Sequence, residues 1–223
     1  MHSESLSRRL TAEFLGSLLL TATVIGSGIM AERLAGGSVA IALLANTAAT
    51  VAALVVLIAL FGPVSGAHFN PAVSLVQALR RHLSWSNTGL YILLQVLGCC
   101  VGAMLAHVMF ELPPWQISTH IRSGPAQWLS EAVASFGLLL IVVGHRRPAD
   151  ASWMVAAWIG AAYWFTASTS FANPAIAIAR SLSDTFAGIR PSDVLPFIVA
   201  EVFGALVALR VGQFLFAPDS GRL

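Results

Sequence analysis

A short motif, Asn-Pro-Ala, occurs twice in this chain, 103 positions apart, and each copy opens an apolar stretch too short to cross a bilayer. The copies stand in segments 65–73 and 168–176. Proline is favoured at a first helical position because its missing N–H would have no partner there, and asparagine before it is a good N-cap. Each copy therefore predicts the positively polarised start of a short helix with a side-chain amide beside it. Two such helix starts in one apolar chain indicate a polar path through apolar surroundings.

The composition is that of an integral membrane protein. Of the 223 residues 57% are apolar and only 10% are charged, and the mean hydropathy is +0.80. A soluble domain carries roughly 25% charged residues. The net charge of +2 is small, so it does not favour a nucleic-acid partner.

Six segments are long or nearly long enough for the ~20 residues that a membrane-spanning helix needs. They are approximately 10–30, 39–61, 88–110, 129–145, 151–165 and 194–216. The two Asn-Pro-Ala segments lie in the connections after the second and fifth of them and predict short helices over 71–80 and 174–182. We therefore expect one all-α membrane domain over residues 1–223, with the lipid bilayer as its surroundings.

Arginine distribution predicts the orientation. Eight arginines share one side of a six-span protein: Arg8, Arg9, Arg80, Arg81, Arg146, Arg147, Arg210 and Arg222. Four lie toward the other side: Arg33, Arg122, Arg180 and Arg190. Because basic residues concentrate on the cytoplasmic side, we expect a multi-pass protein of the inner (plasma) membrane with both termini in the cytoplasm.

The two halves of the chain repeat each other. Residues 12–16 open the first span with Ala-Glu-Phe-Leu-Gly, and residues 130–133 open the fourth with Ser-Glu-Ala-Val. Gln-Val-Leu-Gly at 95–98 corresponds to Glu-Val-Phe-Gly at 201–204. Three spans per half predict inverted repeats, approximately 7–112 and 124–217. Such repeats place their site near the membrane midplane and build it from broken helices.

Three carboxylates, Glu13, Glu131 and Glu201, fall inside apolar spans. A carboxylate in hydrocarbon is costly and is by default functional, so a proton relay or an ion site is one interpretation. The other is a scaffold role, in which each accepts hydrogen bonds from loop N–H groups that need an internal partner. We favour the scaffold role for Glu13 and Glu131, because they occupy equivalent positions in the two halves.

At these residues the chain resembles the aquaporin family, also called the major intrinsic proteins. The resemblance rests on segment 65–73, on the second Asn-Pro-Ala, on the Ala-Glu-Phe start at 12–14 and on the spacing of the six spans. It implies a right-handed bundle of six helices and two re-entrant half-helices. It also implies a homotetramer with one pore in each subunit.

The same resemblance implies where the pore lies. The half-helix starts would meet head to head at the midplane, and their residues are Asn70, Pro71, Ala72, Asn173, Pro174 and Ala175. The two asparagine amides would donate to a passing hydroxyl, while a cation would meet the positive helix ends. We expect small neutral solutes as the partners, and no cofactor, metal or energy source.

The outer constriction departs from the usual family pattern. Most members have arginine after the second Asn-Pro-Ala, where this chain has Ile176. The other constriction positions, carried over by their distance from the two asparagines, are Thr50, Ala161 and Ser170. Without a ring or a cation, this filter predicts a wide opening for a bulky neutral solute. The pattern resembles bacterial metalloid-conducting aquaporins, so arsenite and methylated arsenicals are the preferred substrates, with water and small polyols.

Two residues keep two interpretations each. Arg180 could reach back toward the pore, but we favour an outward residue at the pore mouth, paired with Asp184 four residues later. His68 is favoured as a residue of the cytoplasmic pore lining, and a packed loop residue is the alternative.

Other functions remain as alternatives. A water or glycerol channel without a metalloid role needs the same fold. An inverted-repeat secondary transporter would couple uptake to an ion, and a structural or adhesive membrane protein would show little permeability. The sequence shows no nucleophile and base at the spacing of a known catalytic motif and no glycine-rich phosphate loop, so an enzyme is not expected.

Overall fold

The computed structural model describes residues 4–145, 147 and 150–216. All regular structure in these residues is helical. The helices are α1 (Leu6–Leu34), α2 (Val39–Ser65), α3 (Pro71–Leu79), α4 (Trp85–Met109), α5 (Pro125–Gly144), α6 (Ala151–Phe165), α7 (Pro174–Arg180) and α8 (Pro191–Leu215). Arg146 and Arg222 of the orientation argument, and residue 217 at the end of the second repeat, lie outside the described residues.

Six of these helices correspond to the six predicted spans. Among the described residues, five are long and apolar enough to cross a membrane: α1, α2, α4, α5 and α8. The remaining one, α6, begins and ends at the predicted residues but has only 15, which is short of the ~20 that a bilayer needs. The bounds differ from the predicted ones by up to four residues, as at the end of α2, which is Ser65 rather than 61, and at the start of α5, which is Pro125 rather than 129. The first span begins at Leu6 rather than residue 10, because the Ser5 side chain caps the helix by accepting from the Arg8 backbone N–H.

The two short helices begin where the motif predicts. Asn70 is the N-cap of α3 and its side chain accepts from the Ala72 backbone N–H. Asn173 is the N-cap of α7 and accepts from the N–H groups of Ala175 and Ile176. Both helices end slightly earlier than predicted, α3 by one residue and α7 by two.

Glycines bring the long helices into close contact. α1 packs on α4 and α5 packs on α8, and these are the most extensive helix pairs. A Cβ at Gly98 of α4 would overlap the Phe14 carbonyl of α1, and a Cβ at Gly204 of α8 would overlap the Ala132 carbonyl of α5. Small residues at such crossings let backbones approach each other, which is how membrane helices associate. The two halves meet through α2 with α6, α4 with α7 and α3 with α8.

The bundle is apolar outside and holds polar groups inside. Large apolar side chains such as Val56, Leu195 and Phe203 are exposed on the long helices, while Glu13, Gln95 and Glu131 are fully buried. This is the arrangement of a protein whose outer face contacts lipid.

Candidate pore

The two motif asparagines bind across the junction of the two short helices. The Asn70 Nδ2 donates to the Ala172 carbonyl at 2.7 Å, and the Asn173 Nδ2 donates to the Phe69 carbonyl at 2.8 Å. Each amide therefore caps its own helix through oxygen and holds the opposite loop through one N–H. An amide nitrogen has a second N–H, and in the residues that the structure describes neither one has a protein acceptor. Both side chains line the central cavity, so these donors are available to a solute.

The central cavity has a volume of about 890 Å³ and extends past both asparagines. At one end it reaches His145 and Ser152, where α5 ends and α6 begins, and at the other it reaches Tyr163 and Arg180. Its walls are mostly apolar, with Leu20, Val24, Leu54, Ile58, Leu138 and Val155 among them. A few polar groups in an apolar passage fix the orientation of a small ligand.

Glu13 binds the loop that precedes α3. Its carboxylate accepts from the backbone N–H of His68 at 3.0 Å and of Phe69 at 2.8 Å. It also accepts from the Ser65 hydroxyl at 2.6 Å and from the Gln95 Nε2 at 2.8 Å. The buried charge is thus surrounded by donors, which lowers the cost of placing it among apolar helices.

Two carboxylates bind the loop that precedes α7. Glu131 accepts from the backbone N–H of Phe171 at 2.9 Å and of Ala172 at 2.7 Å. Glu201 accepts from the next N–H, that of Asn173, at 2.9 Å. The other oxygen of Glu201 is buried, and it has no partner in the described part of the chain.

These bonds orient the loop carbonyls. In a trans peptide the C=O points opposite to the N–H, so the peptides held by Glu13 and Glu131 turn their oxygens toward the cavity. Those oxygens belong to Ala67, His68, Ser170 and Phe171, and no protein donor among the described residues uses them. The loops need left-handed backbone at Ala67, Phe69, Thr169, Ser170 and Ala172. Each such non-glycine residue costs ~1–2 kcal/mol, which the bonds to the carboxylates offset.

Three of the four predicted filter residues line one end of the cavity. They are Thr50, Ser170 and Ile176, and all are buried. The Tyr163 hydroxyl donates to the Thr50 Oγ1 at 3.4 Å. The Ser170 hydroxyl oxygen is buried and has no partner within the described chain.

The prediction for Ala161 is wrong. Ala161 lies on the exposed face of α6, and the cavity side of that helix carries Val155, Ile159 and Tyr163. Those three are spaced four residues apart and therefore lie on one face of the helix. Ala161 is two residues from Ile159 and from Tyr163, and two residues correspond to ~200° of rotation, so Ala161 lies on the opposite face. Counting from Asn173 assumes a fixed helix register, and the register of α6 differs. Tyr163 takes the place in the wall, so the opening is narrower than alanine would make it.

The favoured interpretation of Arg180 is also wrong. Arg180 is buried and lines the cavity instead of pairing with Asp184 at the mouth. Its Nε donates to the Ala187 carbonyl, and its guanidinium carbon lies 3.4 Å from the centroid of the Phe171 ring. Asp184 accepts from the backbone N–H and the hydroxyl of Thr119. Because α7 ends at Arg180, the helical four-residue spacing that would join it to Asp184 does not exist.

Sequence reasoning missed Arg122, in the connection between α4 and α5. Its guanidinium donates to the carbonyls of Gly188, Ser168 and Phe186, and it lies 5.1 Å from the Phe171 ring centroid. Burial lowers the pKa of Arg122. No sequence signal could have found this residue, because every hydrogen-bond acceptor of its guanidinium among the described residues is a backbone carbonyl.

His68 lines the opposite part of the cavity and is half-buried. Its Nδ1 lies 3.1 Å from the Ser74 hydroxyl, and its ring centroid lies 5.3 Å from that of Tyr91. In residues 4–145, 147 and 150–216, no three His, Cys, Asp or Glu side chains are grouped as a metal site would require.

Comparison with known proteins decides the family. The family model named major intrinsic protein matches residues 1–163. The chain belongs to the major intrinsic protein family. The family resemblance predicted from the two motifs is therefore confirmed, and so is the all-helical membrane fold.

Individual relatives agree with this assignment. The chain is 54% identical over 220 residues to the aquaglyceroporin AqpS of Rhizobium meliloti (strain 1021), covering 98% of this chain and 94% of that protein. It is 31% identical over 146 residues to a probable glycerol uptake facilitator protein of Thermotoga maritima, covering 60% of this chain and 62% of that protein. The X-ray structure of the aquaglyceroporin from Plasmodium falciparum shares the fold with a TM-score of 0.73 at 21% identity, covering 96% of this chain and 98% of that one.

Proposed function

We propose that this major intrinsic protein is a passive transmembrane channel for small uncharged solutes, working as a homotetramer with one pore in each subunit. The observation that carries the proposal is a pair of amide N–H groups, on Asn70 and Asn173, that have no acceptor among the described residues and lie in a cavity with mostly apolar walls. Two donors that converge on an apolar passage suit a molecule that presents hydroxyl oxygens.

The mechanism is exchange of hydrogen bonds along the passage. A neutral solute that leaves water regains bonds from the two amides and from the carbonyls of Ala67, His68, Ser170 and Phe171. A cation instead meets two helix N-termini, each equivalent to roughly half a positive charge. Pro71, Ala72, Pro174 and Ala175 begin those two helices, and Glu13 and Glu131 serve as the scaffold carboxylates. No energy-coupled step is needed.

Small polyhydroxy solutes are the proposed substrates. Two relatives carry aquaglyceroporin or glycerol uptake facilitator in their names, which supports glycerol. Undissociated arsenite, As(OH)3, presents three hydroxyl groups as glycerol does, and it remains the proposed metalloid, together with methylated arsenicals. Tyr163 and Arg180 line the outer end, so the opening there is neither wide nor uncharged. The hydroxyl groups that arsenite shares with glycerol are therefore what supports it as a substrate.

The test is flux into reconstituted vesicles, measured by stopped flow for water, glycerol, urea and arsenite in parallel. We expect flux down the concentration gradient that does not saturate as the solute concentration rises. A proton or sodium gradient should not change this flux. Uphill, ion-dependent uptake would establish a transporter instead. No permeability to any solute would favour a structural role. Glycerol flux without arsenite flux would leave a channel that has no metalloid function.

A matched pair of variants tests the amides. Asn173→Asp keeps an oxygen that can cap α7 but removes both N–H donors, so glycerol flux falls about tenfold, the loss that about 1.4 kcal/mol produces. Asn87→Asp makes the same change at the start of α4, away from the cavity, and leaves flux unchanged. Equal flux in both variants would contradict the proposed role of Asn173.

A further inference from the structure

We propose that Arg180 is a specificity-determining residue at the outer end of the pore, where its guanidinium donates hydrogen bonds to the hydroxyl oxygens of the solute. The inference rests on the proposed channel function and assigns a residue to it. Arg180 stands four residues after Ile176, about one helical turn or ~6 Å further along the axis of α7.

The first observation is a buried cation without an anion. Arg180 is 3% exposed, and no carboxylate of the described chain forms an ion pair with it. A buried charge is costly unless polar groups or solvent compensate it. Within the described residues only its Nε has a protein acceptor, the Ala187 carbonyl. Because Arg180 lines the cavity, its two Nη groups can donate hydrogen bonds to a solute there.

The second observation is that the guanidinium is held in place. The Phe171 ring lies against one face of it, at 3.4 Å from ring centroid to guanidinium carbon. The Ala187 carbonyl holds the Nε edge. A planar group fixed at its face and at one edge presents its remaining donors in a constant direction, so little conformational freedom is lost when a solute binds.

Arg122 shows what a purely structural arginine looks like in the same place. It approaches the same Phe171 ring, but its Nε, Nη1 and Nη2 all donate to backbone carbonyls. Arg180 differs because its Nη groups have no acceptor in the part of the chain that the structure describes. From this contrast we infer that Arg122 holds the loops in place, whereas Arg180 donates hydrogen bonds to the solute.

The surroundings of Arg180 define the class of ligand. Ser170 lines the same cavity with a buried hydroxyl that has no partner in the described chain, and Ile176 supplies an apolar wall. A donor fork on the same helix face as an apolar side chain suits a small neutral molecule with two or more hydroxyl groups. The fixed positive charge also opposes the entry of cations.

The experiment compares Arg180→Leu with Arg33→Leu in reconstituted vesicles. Arg33 is an exposed arginine at the end of α1, on the same predicted side of the membrane. Its replacement removes the same charge but does not change the cavity wall, which makes it the control. We expect Arg180→Leu to lower glycerol flux about tenfold, as the loss of one charged hydrogen bond does. Water flux changes less than glycerol flux, and a sodium or potassium leak appears. Arg33→Leu shows none of these effects.

Two further variants separate the donors from the charge and from folding. Arg180→Lys keeps the charge as a single-point donor, so cation exclusion stays while glycerol flux falls. The double variant Ile176→Arg with Arg180→Leu returns a guanidinium to the wall one turn earlier, and it restores cation exclusion. A residue that only stabilises the fold would not be replaced from a different position.

Equal fluxes in Arg180→Leu and Arg33→Leu would overturn the inference. So would a parallel loss of water and glycerol flux in Arg180→Leu that the double variant does not reverse, because that pattern marks a folding defect. Absence of neutral-solute flux in the unmodified protein would instead overturn the channel function itself, so the two failures are distinguishable.

Discussion

Glu201 and Gln95 occupy corresponding places beside the two loops, but their chemistry differs. Gln95 donates its Nε2 to Glu13 and so contributes a donor to that carboxylate. Glu201 stands beside Glu131, accepts from the Asn173 N–H and leaves its other oxygen buried without a partner in the described chain. A buried acceptor without a donor costs ~1–3 kcal/mol. The Oε1 of Gln95 is likewise buried without a partner among the described residues, so the two loops differ in another respect. In the described residues Glu131 lacks the side-chain donor that Gln95 supplies to Glu13.

Glu201→Gln is predicted to stabilise the protein. The amide oxygen can keep the Asn173 N–H, and the new NH2 can donate to Glu131 as Gln95 does to Glu13. A gain of about 1 kcal/mol raises the melting temperature by about 2–4 °C in a chain of this size. Thermal unfolding of the purified protein in detergent, with circular dichroism as the readout, measures it.

Glu201→Leu is the control for this prediction. It removes both oxygens, leaves the Asn173 N–H without an acceptor and lowers the melting temperature. If Glu201→Gln were as destabilising as Glu201→Leu, both oxygens of Glu201 would be required, and the parallel with Gln95 would be wrong.

At the scale of elements, glycine contacts position the helices that carry the loops. Gly98 lies in the middle of α4, where a Cβ would overlap the Phe14 carbonyl of α1. Phe14 follows Glu13, so a shift of this contact displaces the carboxylate that binds the loop before α3. Helix packing and pore geometry are therefore linked through a single crossing.

Gly98→Ala is predicted to lower both stability and flux. The added methyl group meets backbone, so the helices must move apart at a cost of ~1–3 kcal/mol. The control is Gly89→Ala in the same helix, where a Cβ has no described atom within 4 Å. That change is neutral or stabilising by up to about 1 kcal/mol, because alanine is the better helix former. Melting temperatures and glycerol flux of the pair check the prediction, which similar values would contradict.

Asp184, in the connection between α7 and α8, binds the connection between α4 and α5 through Thr119. The bonds from the Thr119 backbone and hydroxyl lower the pKa of Asp184. A lowered pKa in the folded state means that the stabilisation is complete above the unfolded value of about 3.9 and is lost as pH falls through the folded value.

Acidification is therefore predicted to loosen this contact. Hydrogen exchange of residues 115–121 should rise as the pH drops below about 4, beyond the intrinsic change in exchange rate. Asp184→Asn keeps one acceptor oxygen but cannot titrate, so in that variant the extra acid-dependent exchange disappears. Identical pH profiles in the two proteins would show that another group controls the loops.

At the scale of the whole molecule, both ends of the chain are predicted to lie in the cytoplasm, as the arginine distribution and an even number of crossings require. Ile117→Cys, in the α4–α5 connection, and His82→Cys, after α3, replace exposed residues expected on opposite sides. In a background lacking Cys99 and Cys100, a membrane-impermeant maleimide applied to intact cells labels only the former. Labelling of His82→Cys alone would reverse the orientation. The inverted repeats at 7–112 and 124–217, and the tetramer, stay predictions.

The sequence by itself determined the membrane class, the six long helical segments, the two short capped helices and the family, because these depend on composition, local capping chemistry and a duplicated motif. Only the tertiary structure decided which face of α6 meets the cavity and where the Arg180 guanidinium lies. Helix α6 is apolar on every side, since lipid and protein interior are both apolar, so no stripe in its sequence marks the inner face. Arg180 turns inward because of the Ala187 carbonyl and the Phe171 ring, contacts that have no signature along the chain.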